Sequence, residues 1–309
     1  MSFVRLVLLS GLACLPLTFA WGGGAEMRSP LLAGSWYEGT REALAAQIDG
    51  FLEKVPDQKI DGRVVALISP HAGVVYSGQT AAYGYRLLKQ QSVKRVVLLG
   101  PSHREPLSGA SIPVAKAFVT PLGAVPLDRE ACDKLVASGV FKPDRNNQQA
   151  EHSLEIQLPF LQRVLDEFLL VPIMVGHLSA GDASKLAERI KPLLDDETVL
   201  VASSDFTHYG EMHGYVPFSE NIRENLVKLD GGATDFILKK DSEGFVKYLE
   251  KTGATICGSM PIEMMLCCLP EEAAGRQIHY SLSGDMTGGF SMSVSYVSVA
   301  FFLPETKAK

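Results

Sequence analysis

The sequence predicts an α/β fold in which a largely parallel central sheet is flanked by helices and extended by antiparallel edge strands. Three observations support this prediction: continuous apolar runs of strand length, segments with apolar residues at helical spacing, and two segments that break the alternation. Strands that alternate with helices form parallel sheets covered on both faces. Because no internal repeat and no linker rich in Gly, Ser or Pro divides residues 27–309, we interpret them as one domain.

Four core strands are predicted from runs of apolar residues, which are typical of parallel strands buried on both faces. They cover residues 64–68, 95–99, 168–175 and 199–202. Two helices are predicted from apolar residues at helical spacing: Leu44, Ile48, Phe51, Leu52 and Val55 in one, and Leu154, Leu158, Leu161 and Leu165 in the other. Pro159 should either kink the second helix or lie in its first turn.

Two segments are predicted to add antiparallel strands at the edges of the sheet. Residues 110–128 are strand-like and rich in turns, and residues 278–303 include a stretch that alternates small polar and apolar side chains with period two. Such alternation is typical of a strand with only one face in the core.

The composition excludes several classes of protein. The chain has 309 residues, 46% of them hydrophobic, with 29 Lys+Arg against 35 Asp+Glu and a net charge of -6. This apolar fraction is too high for a disordered chain. The negative balance and the lack of basic runs argue against binding to nucleic acid or to anionic lipid. A metal ion, a small molecule, a peptide or a protein is therefore the expected partner.

The first twenty residues are predicted to be a secretory signal peptide, followed by a linker at residues 21–26. Arg5 precedes an uncharged apolar stretch, Leu6 to Ala20, that ends in a small-x-small pattern. The stretch is shorter than the roughly 20 residues of a transmembrane helix, so we expect no membrane span in the mature protein and a periplasmic or secreted location. Cys14 half matches a lipoprotein signal, which leaves a lipid anchor open, and translation from Met27 would instead give a cytoplasmic protein.

Three histidines follow predicted strands directly. His71 and His103 come after the first and second core strands, and Asp205 and His208 come after the fourth. Because the carboxyl ends of parallel strands meet at one edge of the sheet, these side chains are expected to converge there. Each histidine could instead serve its own loop, but the repeated placement favours a metal site or an acid/base site.

Cys257 is the cysteine expected to be reactive or to bind metal. It precedes an apolar helix with Pro261 in its first turn. Backbone N–H groups and the helix dipole at this end are expected to favour a thiolate. Glu151, His152 and Glu155 lie near another helix start, where they form either a network around the site or a solvated helix end.

These motifs resemble the MEMO family, whose bacterial members are called AmmeMemoRadiSam system protein B. The resemblance runs in order from Met27 to about Leu303. It rests on Met27-Arg28-Ser29-Pro30, Ala33-Gly34-Ser35-Trp36-Tyr37, Ser69 to Gly73, Gly100 to His103, Glu151-His152-Ser153-Leu154-Glu155, Ser203 to His208 and Thr255-Ile256-Cys257-Gly258.

The resemblance implies a fold similar to the catalytic subunits of class III extradiol dioxygenases, with a metal site at the position of their active site. It implies His71, His103 and Cys257 as ligands of iron or copper, with Asp205 and His208 lining the same pocket. A cysteine in place of a carboxylate ligand softens such a site and favours Cu(I) or Zn.

Three functions are compatible with these residues. The first is a redox or oxygen-handling metalloprotein, such as a non-haem iron dioxygenase, in which His208, oriented by Asp205, is the acid/base. The second is a metal carrier or accessory protein that works with the proteins of a radical-SAM system. The third is a hydrolase in which Cys257 is the nucleophile and His208 its base.

Overall fold

The computed structural model describes residues 27–60, 62–144 and 151–304. The predicted signal peptide, the linker and Cys14 lie outside these residues. The strands are β1 (Arg63–Ser69), β2 (Arg95–Pro101), β3 (Ala110–Pro113), β4 (Ala117–Thr120), β5 (Gly123–Pro126), β6 (Phe141–Asp144), β7 (Leu169–Val175), β8 (Thr198–Ser203), β9 (His208–Gly210), β10 (Ala274–Leu282) and β11 (Met292–Leu303). The helices are α1 (Arg41–Glu53), α2 (Val74–Tyr85), α3 (Arg129–Ala137), α4 (Leu158–Val164), α5 (Asp182–Ile190), α6 (Ile222–Leu238), α7 (Ser242–Thr252), α8 (Ser259–Cys268) and α9 (Ser283–Thr287).

The predicted parallel core is confirmed. Strands β1, β8, β2 and β7 are adjacent in that order, and each neighbouring pair is parallel. Along β2, Val96 and Leu98 pack in the apolar core on one face of the sheet, whereas Val97 and Leu99 pack in the core on the other face. Burial on both faces explains why these strands are continuous apolar runs.

The two edges of the sheet differ in how well they match the prediction. β11 runs antiparallel to β1 and to β10, as residues 278–303 predict. On the other side β3 is antiparallel to β7, but β4 and β5 form a separate hairpin. Placing the whole of residues 110–128 at the sheet edge was therefore wrong. The hairpin packs Phe118 and Val125 into the core on the α1 side of the sheet instead of pairing with an edge strand.

Both predicted helices are present, and Pro159 resolves the ambiguity in the second. A single 3₁₀ turn, Glu155–Gln157, precedes α4, and Pro159 lies in the first turn of α4, where its missing N–H costs no helical hydrogen bond. α1 begins after Thr40, whose side chain accepts a hydrogen bond from the Ala43 amide. Among the described helices, none has both the length and the hydrophobicity needed to cross a bilayer.

The topology collects polar side chains at one edge of the sheet. His71 follows β1, His103 follows β2 and Asp205 follows β8. Because these three strands are adjacent and parallel, the loops after them lie side by side.

Candidate metal centre

His71, His103 and Cys257 come together at this edge of the sheet. One potential ligand atom of each lies within 4.8 Å of those of the other two. Cys257 Sγ and His71 Nε2 are 3.0 Å apart. The His71 side chain is buried, and its ring meets that of His103 edge-on at a centroid distance of 5.2 Å.

Ser203, the last residue of β8, determines which nitrogen of His71 carries the proton. Its hydroxyl donates to the Ser153 carbonyl at 2.6 Å, so its oxygen is left to accept from His71 Nδ1 at 3.0 Å. With the proton on Nδ1, the lone pair of His71 is on Nε2, the nitrogen that faces Cys257. Burial, followed by the neighbouring histidines, lowers the pKa of His71 well below its ordinary value, which keeps the ring neutral.

Glu151 fixes His103 in the same way. Its Oε1 accepts from His103 Nδ1 at 2.9 Å, and its Oε2 accepts from the His103 amide at 2.7 Å. Burial opposes ionisation of Glu151, but the hydrogen bonds from His103 and from the Ser153 amide outweigh it and lower the pKa of the carboxyl to about 2. The ionised carboxylate holds the proton on Nδ1 and leaves Nε2 of His103 free to bind an ion.

A second set of donors, His103, Glu151 and His152, also lies within ligand distance. However, Glu151 Oε1 already accepts hydrogen bonds from the ring of His103 and from the amides of His152 and Ser153. An ion here would have to break these bonds. His71, His103 and Cys257 are therefore the better candidate set for holding an ion.

The segment that carries Cys257 passes unusually close to the end of β8. A Cβ atom on Gly258 would lie 2.3 Å from Ser204 Cβ, so only glycine permits this approach. The Gly258 amide donates to Ser204 Oγ at 3.0 Å. The absence of a side chain at Gly258 thereby places the thiol beside His71.

The thiolate expected at Cys257 is not favoured by its surroundings. α8 begins two residues later, at Ser259, and the thiol lies among buried groups. Burial, reinforced by the negative charge of Asp205, raises the pKa of Cys257 well above its ordinary value. Without a cation the side chain is therefore a neutral thiol. A bound cation would supply the positive charge that a thiolate needs.

His71 Nε2 and Cys257 Sγ are close enough to share one ion after a small adjustment. In a tetrahedral site nitrogen and sulfur ligands lie ~2.0 and ~2.3 Å from a metal such as zinc, and therefore ~3.5 Å from each other. The observed separation of His71 Nε2 and Cys257 Sγ is 3.0 Å. The same distance allows a thiol-to-imidazole hydrogen bond, so the thiol proton is the one that an ion would displace.

Asp205 and His208 do not form the orienting pair that the sequence suggested. Asp205 Oδ1 accepts from the amides of His71 and Ala72 at 2.7 and 3.2 Å, which braces the loop after β1. His208 Nδ1 instead donates to the Thr255 carbonyl at 3.0 Å. Within the described residues no hydrogen bond or ion pair joins Asp205 to His208. His208 is thus oriented by a backbone carbonyl, which leaves its Nε2 able to accept a proton.

Glu155 contacts the N-terminal segment rather than the three metal-ligand candidates. Its buried carboxylate accepts from Arg28 Nη1 at 2.6 Å, from the Leu32 amide at 2.8 Å and from the Tyr37 hydroxyl at 2.7 Å. The segment held in this way carries Trp36, whose ring centroid lies 4.7 Å from that of His152. Glu155 therefore affects the site indirectly, by fixing the position of the segment that carries Trp36.

A cleft of about 560 Å³ leads to the thiol of Cys257. Its lining includes Ser102, Glu105, His177 and Met260, so both polar and apolar groups face it. A larger cleft of about 780 Å³ has no His or Cys in its lining. The cleft of about 560 Å³ therefore gives solvent access to the thiol of Cys257.

Comparison with known proteins identifies the family to which this chain belongs. A family model described as "Memo-like protein" matches residues 28–300. The chain belongs to this Memo family. "Protein memo-1 homolog" of Caenorhabditis elegans is 33% identical over 91% of this chain and 84% of its own length. "MEMO1 family protein Ta0237" of Thermoplasma acidophilum is 32% identical over 90% of this chain and 99% of its own length.

A solved structure supports the fold of this Memo-family chain. An uncharacterized protein, JW3007, from Escherichia coli K12 aligns with a TM-score of 0.56 over 77% of this chain and 99% of its own. The sequence identity is 14%, so this similarity concerns the fold alone.

Sequence reasoning missed three residues that shape the centre of this Memo-family chain. Ser203 and Thr255 fix histidine tautomers, and Trp36 packs on His152. Ser203 could have been recognised from the sequence, because it ends the strand that precedes Asp205. Thr255 contacts His208 through both its hydroxyl and its backbone carbonyl. It lies 47 residues from His208 in the chain, and Trp36 precedes the site by more than a strand, so the local sequence indicates neither contact.

Proposed function

We propose that this chain binds an iron or copper ion through His71, His103 and Cys257 and acts as a redox-active or accessory metalloprotein. The observation that carries the proposal is the 3.0 Å contact between Cys257 Sγ and His71 Nε2, a nitrogen whose lone pair is fixed by the hydrogen bond from Nδ1 to Ser203. Two imidazoles and one thiol that can lose its proton form a mixed, soft donor set.

The chain's own residues have defined tasks in this proposal. Ser203 and Glu151 hold the Nδ1 protons of His71 and His103, and so keep both Nε2 lone pairs available. Cys257 loses its proton to the cleft when the ion binds. The ion would supply one-electron redox chemistry, and a thiolate ligand favours Cu(I) over the harder ions that carboxylates prefer.

We propose an accessory or carrier role, linked to a radical-SAM system, ahead of ring-cleaving chemistry. A dioxygenase-like reaction is the second candidate, because His208 keeps a free Nε2 after its Nδ1 has donated to Thr255. A cysteine hydrolase is not favoured. The imidazole in contact with Cys257 is His71 rather than His208, and burial lowers the pKa of the His71 ring, which weakens it as a base.

Metal loading combined with oxygen uptake separates these candidates. Protein purified without chelator and without oxygen should retain copper or iron in stoichiometric amount by elemental analysis. With Fe(II) bound and a catechol offered, we expect no substrate-dependent oxygen uptake. Steady uptake that falls roughly 10²-fold or more in His208→Ala would make the protein an enzyme. Protein that takes up neither metal under these conditions would refute the proposed metal site itself.

We further propose that the protein is exported, on the basis of the apolar stretch that ends at Ala20. Cleavage there should leave a mature protein that begins near Trp21, or at a lipid-modified Cys14 if the lipoprotein signal is used. Mass spectrometry of the N-terminus in the native cell checks this expectation. An unprocessed protein that starts at Met27 would contradict it.

A further inference from the structure

We infer that Met260 and His177 form an entry site for Cu(I) in the cleft beside Cys257, and that they bind the ion first and then pass it to the thiol. The inference rests on the proposed function and deepens it, since it selects copper and names a route to His71, His103 and Cys257. It assigns a task to two side chains that the candidate centre does not use.

Three residues that can bind a soft metal ion line the cleft of about 560 Å³: Cys257 with its thiol, Met260 with its thioether and His177 with its imidazole. Thiolate and thioether sulfur select Cu(I), and imidazole also suits copper. Among the described residues that line the cleft, Glu105 is the only carboxylate. Ions that prefer oxygen, such as Mg²⁺ or Mn²⁺, would therefore find few charged ligands here.

Met260 lies near Cys257 because both residues belong to the start of α8. Cys257 stands two residues before the helix, and Met260 is the second residue of the helix. Met260 is partly buried against the apolar core, and it also lines the cleft. Because a methionine side chain has three rotatable bonds, its sulfur can turn toward an ion in the cleft while the rest of the side chain stays packed.

His177 lies one strand further along the edge of the sheet than His103. β2 and β7 are parallel neighbours in which Pro101 pairs with Val175, and each histidine follows its strand's member of this pair by two positions. The His177 backbone is held in place, because its amide donates to the Leu107 carbonyl at 2.7 Å. Its ring is exposed, and among the described residues no hydrogen bond holds it. The ring nitrogens are therefore available to an ion that enters the cleft.

The chemistry of the donors gives the order in which they bind. A thioether has no acidic proton, and a neutral imidazole binds through its free nitrogen, whereas a thiol must lose its proton. Met260 and His177 can therefore hold Cu(I) before Cys257 does. The sulfur of Cys257 then replaces one of these donors, and its proton leaves to solvent in the cleft. The ion stays Cu(I) throughout, so the transfer needs no oxidant or reductant.

Anaerobic transfer of Cu(I) from its coloured bicinchoninate complex to the metal-free protein tests the entry site, because the loss of colour follows uptake in time. Met260→Leu keeps a side chain of similar volume but removes the sulfur. We expect this variant to reach the wild-type Cu(I) content but to take up the ion roughly 10-fold more slowly, an effect of ~1.4 kcal/mol on the barrier. His177→Gln should also slow the uptake. Zn(II), which proteins bind through Cys, His and carboxylates, should enter Met260→Leu at the wild-type rate.

Met212→Leu is the matched control, because Met212 is 86% exposed and is not among the residues that line the cleft. It should leave both rates unchanged. Equal Cu(I) rates in the wild type and in Met260→Leu would overturn the inference. Equal slowing of Cu(I) and Zn(II) would also overturn it, because Met260 would then shape the cleft rather than bind the ion.

The amount of bound ion separates failure of the entry site from failure of the centre. A lower final Cu(I) content in Met260→Leu would overturn the inference by making the thioether a permanent ligand. A wild type that binds Fe(II) or Zn(II) but no Cu(I) would overturn the inference alone. A wild type that binds none of these ions would refute the proposed metal centre, and the entry site with it.

Discussion

Replacing Cys257 with Ala should abolish stable metal binding while the fold remains intact. The thiol is one of three donors whose atoms lie within 4.8 Å of one another, and it is the only one that can bring a negative charge to the ion. The side chain precedes α8 and belongs to neither of the two large apolar cores, so its loss should leave the core unchanged. Elemental analysis together with far-UV circular dichroism checks both parts of this expectation, and His71→Ala and His103→Ala should lose metal in the same way.

Two further variants show how strongly a neighbouring residue affects metal binding and whether the loss is specific to the site. Glu151→Gln keeps the size of the side chain but removes the charge that holds the proton on His103 Nδ1. It should weaken metal binding by roughly 10- to 100-fold, the usual effect of losing a group that orients a ligand. Cys267→Ala is the control, because that partly exposed cysteine lies on α8 away from the donor set. Full metal occupancy in Cys257→Ala, at wild-type affinity, would remove Cys257 from the site.

The fold and the meeting of the loops could be predicted because both follow from short stretches of sequence. A continuous apolar run such as 96–99 indicates a strand buried on both faces, and strands of this kind pair in parallel. Parallel strands place their carboxyl ends at one edge. That rule alone brings His71, His103 and Asp205 together, although they are distant in the chain.

The hydrogen bonds within the site could not be predicted, because they depend on distances of an ångström or less between loops. The sequence suggested Asp205 as the partner of His208, yet the carboxylate binds the amides of His71 and Ala72. The burial of the Cys257 side chain could not be predicted from the sequence either. The position of Cys257 before a helix suggested a lowered pKa, whereas enclosure beside Asp205 raises it.

The contacts of the N-terminal segment could not be predicted either, because they join residues that are far apart in the chain. Arg28 and Glu155 are 127 residues apart, and their side chains are 5% and 0% exposed. Arg28 also donates from Nη2 to the Glu151 carbonyl at 2.6 Å. The ion pair thus joins the segment that carries Trp36 to the segment that carries Glu151 and His152. Nothing in either segment alone indicates the other as its partner.

Removing this pair should therefore cost more stability than removing any exposed one. Arg28→Met leaves the Glu155 carboxylate buried without its counter-charge, and we expect the free energy of unfolding to fall by about 3–5 kcal/mol. Arg223→Met, which breaks an exposed pair with Asp285, is the control and should cost at most about 1 kcal/mol. Urea denaturation followed by circular dichroism measures both.

A second substitution shows whether the cost arises from the buried charge. In the double variant Arg28→Met, Glu155→Gln the unpaired charge is gone, and the amide oxygen can still accept from the Leu32 amide and from the Tyr37 hydroxyl. This variant should therefore regain part of the lost stability, because an uncompensated buried charge costs more than a neutral group that keeps its hydrogen bonds. If Arg28→Met unfolds at the same urea concentration as Arg223→Met, the pair is not what holds the N-terminal segment on the protein, and the contact between Trp36 and His152 must depend on the packing of Leu32 and Tyr37 in the core.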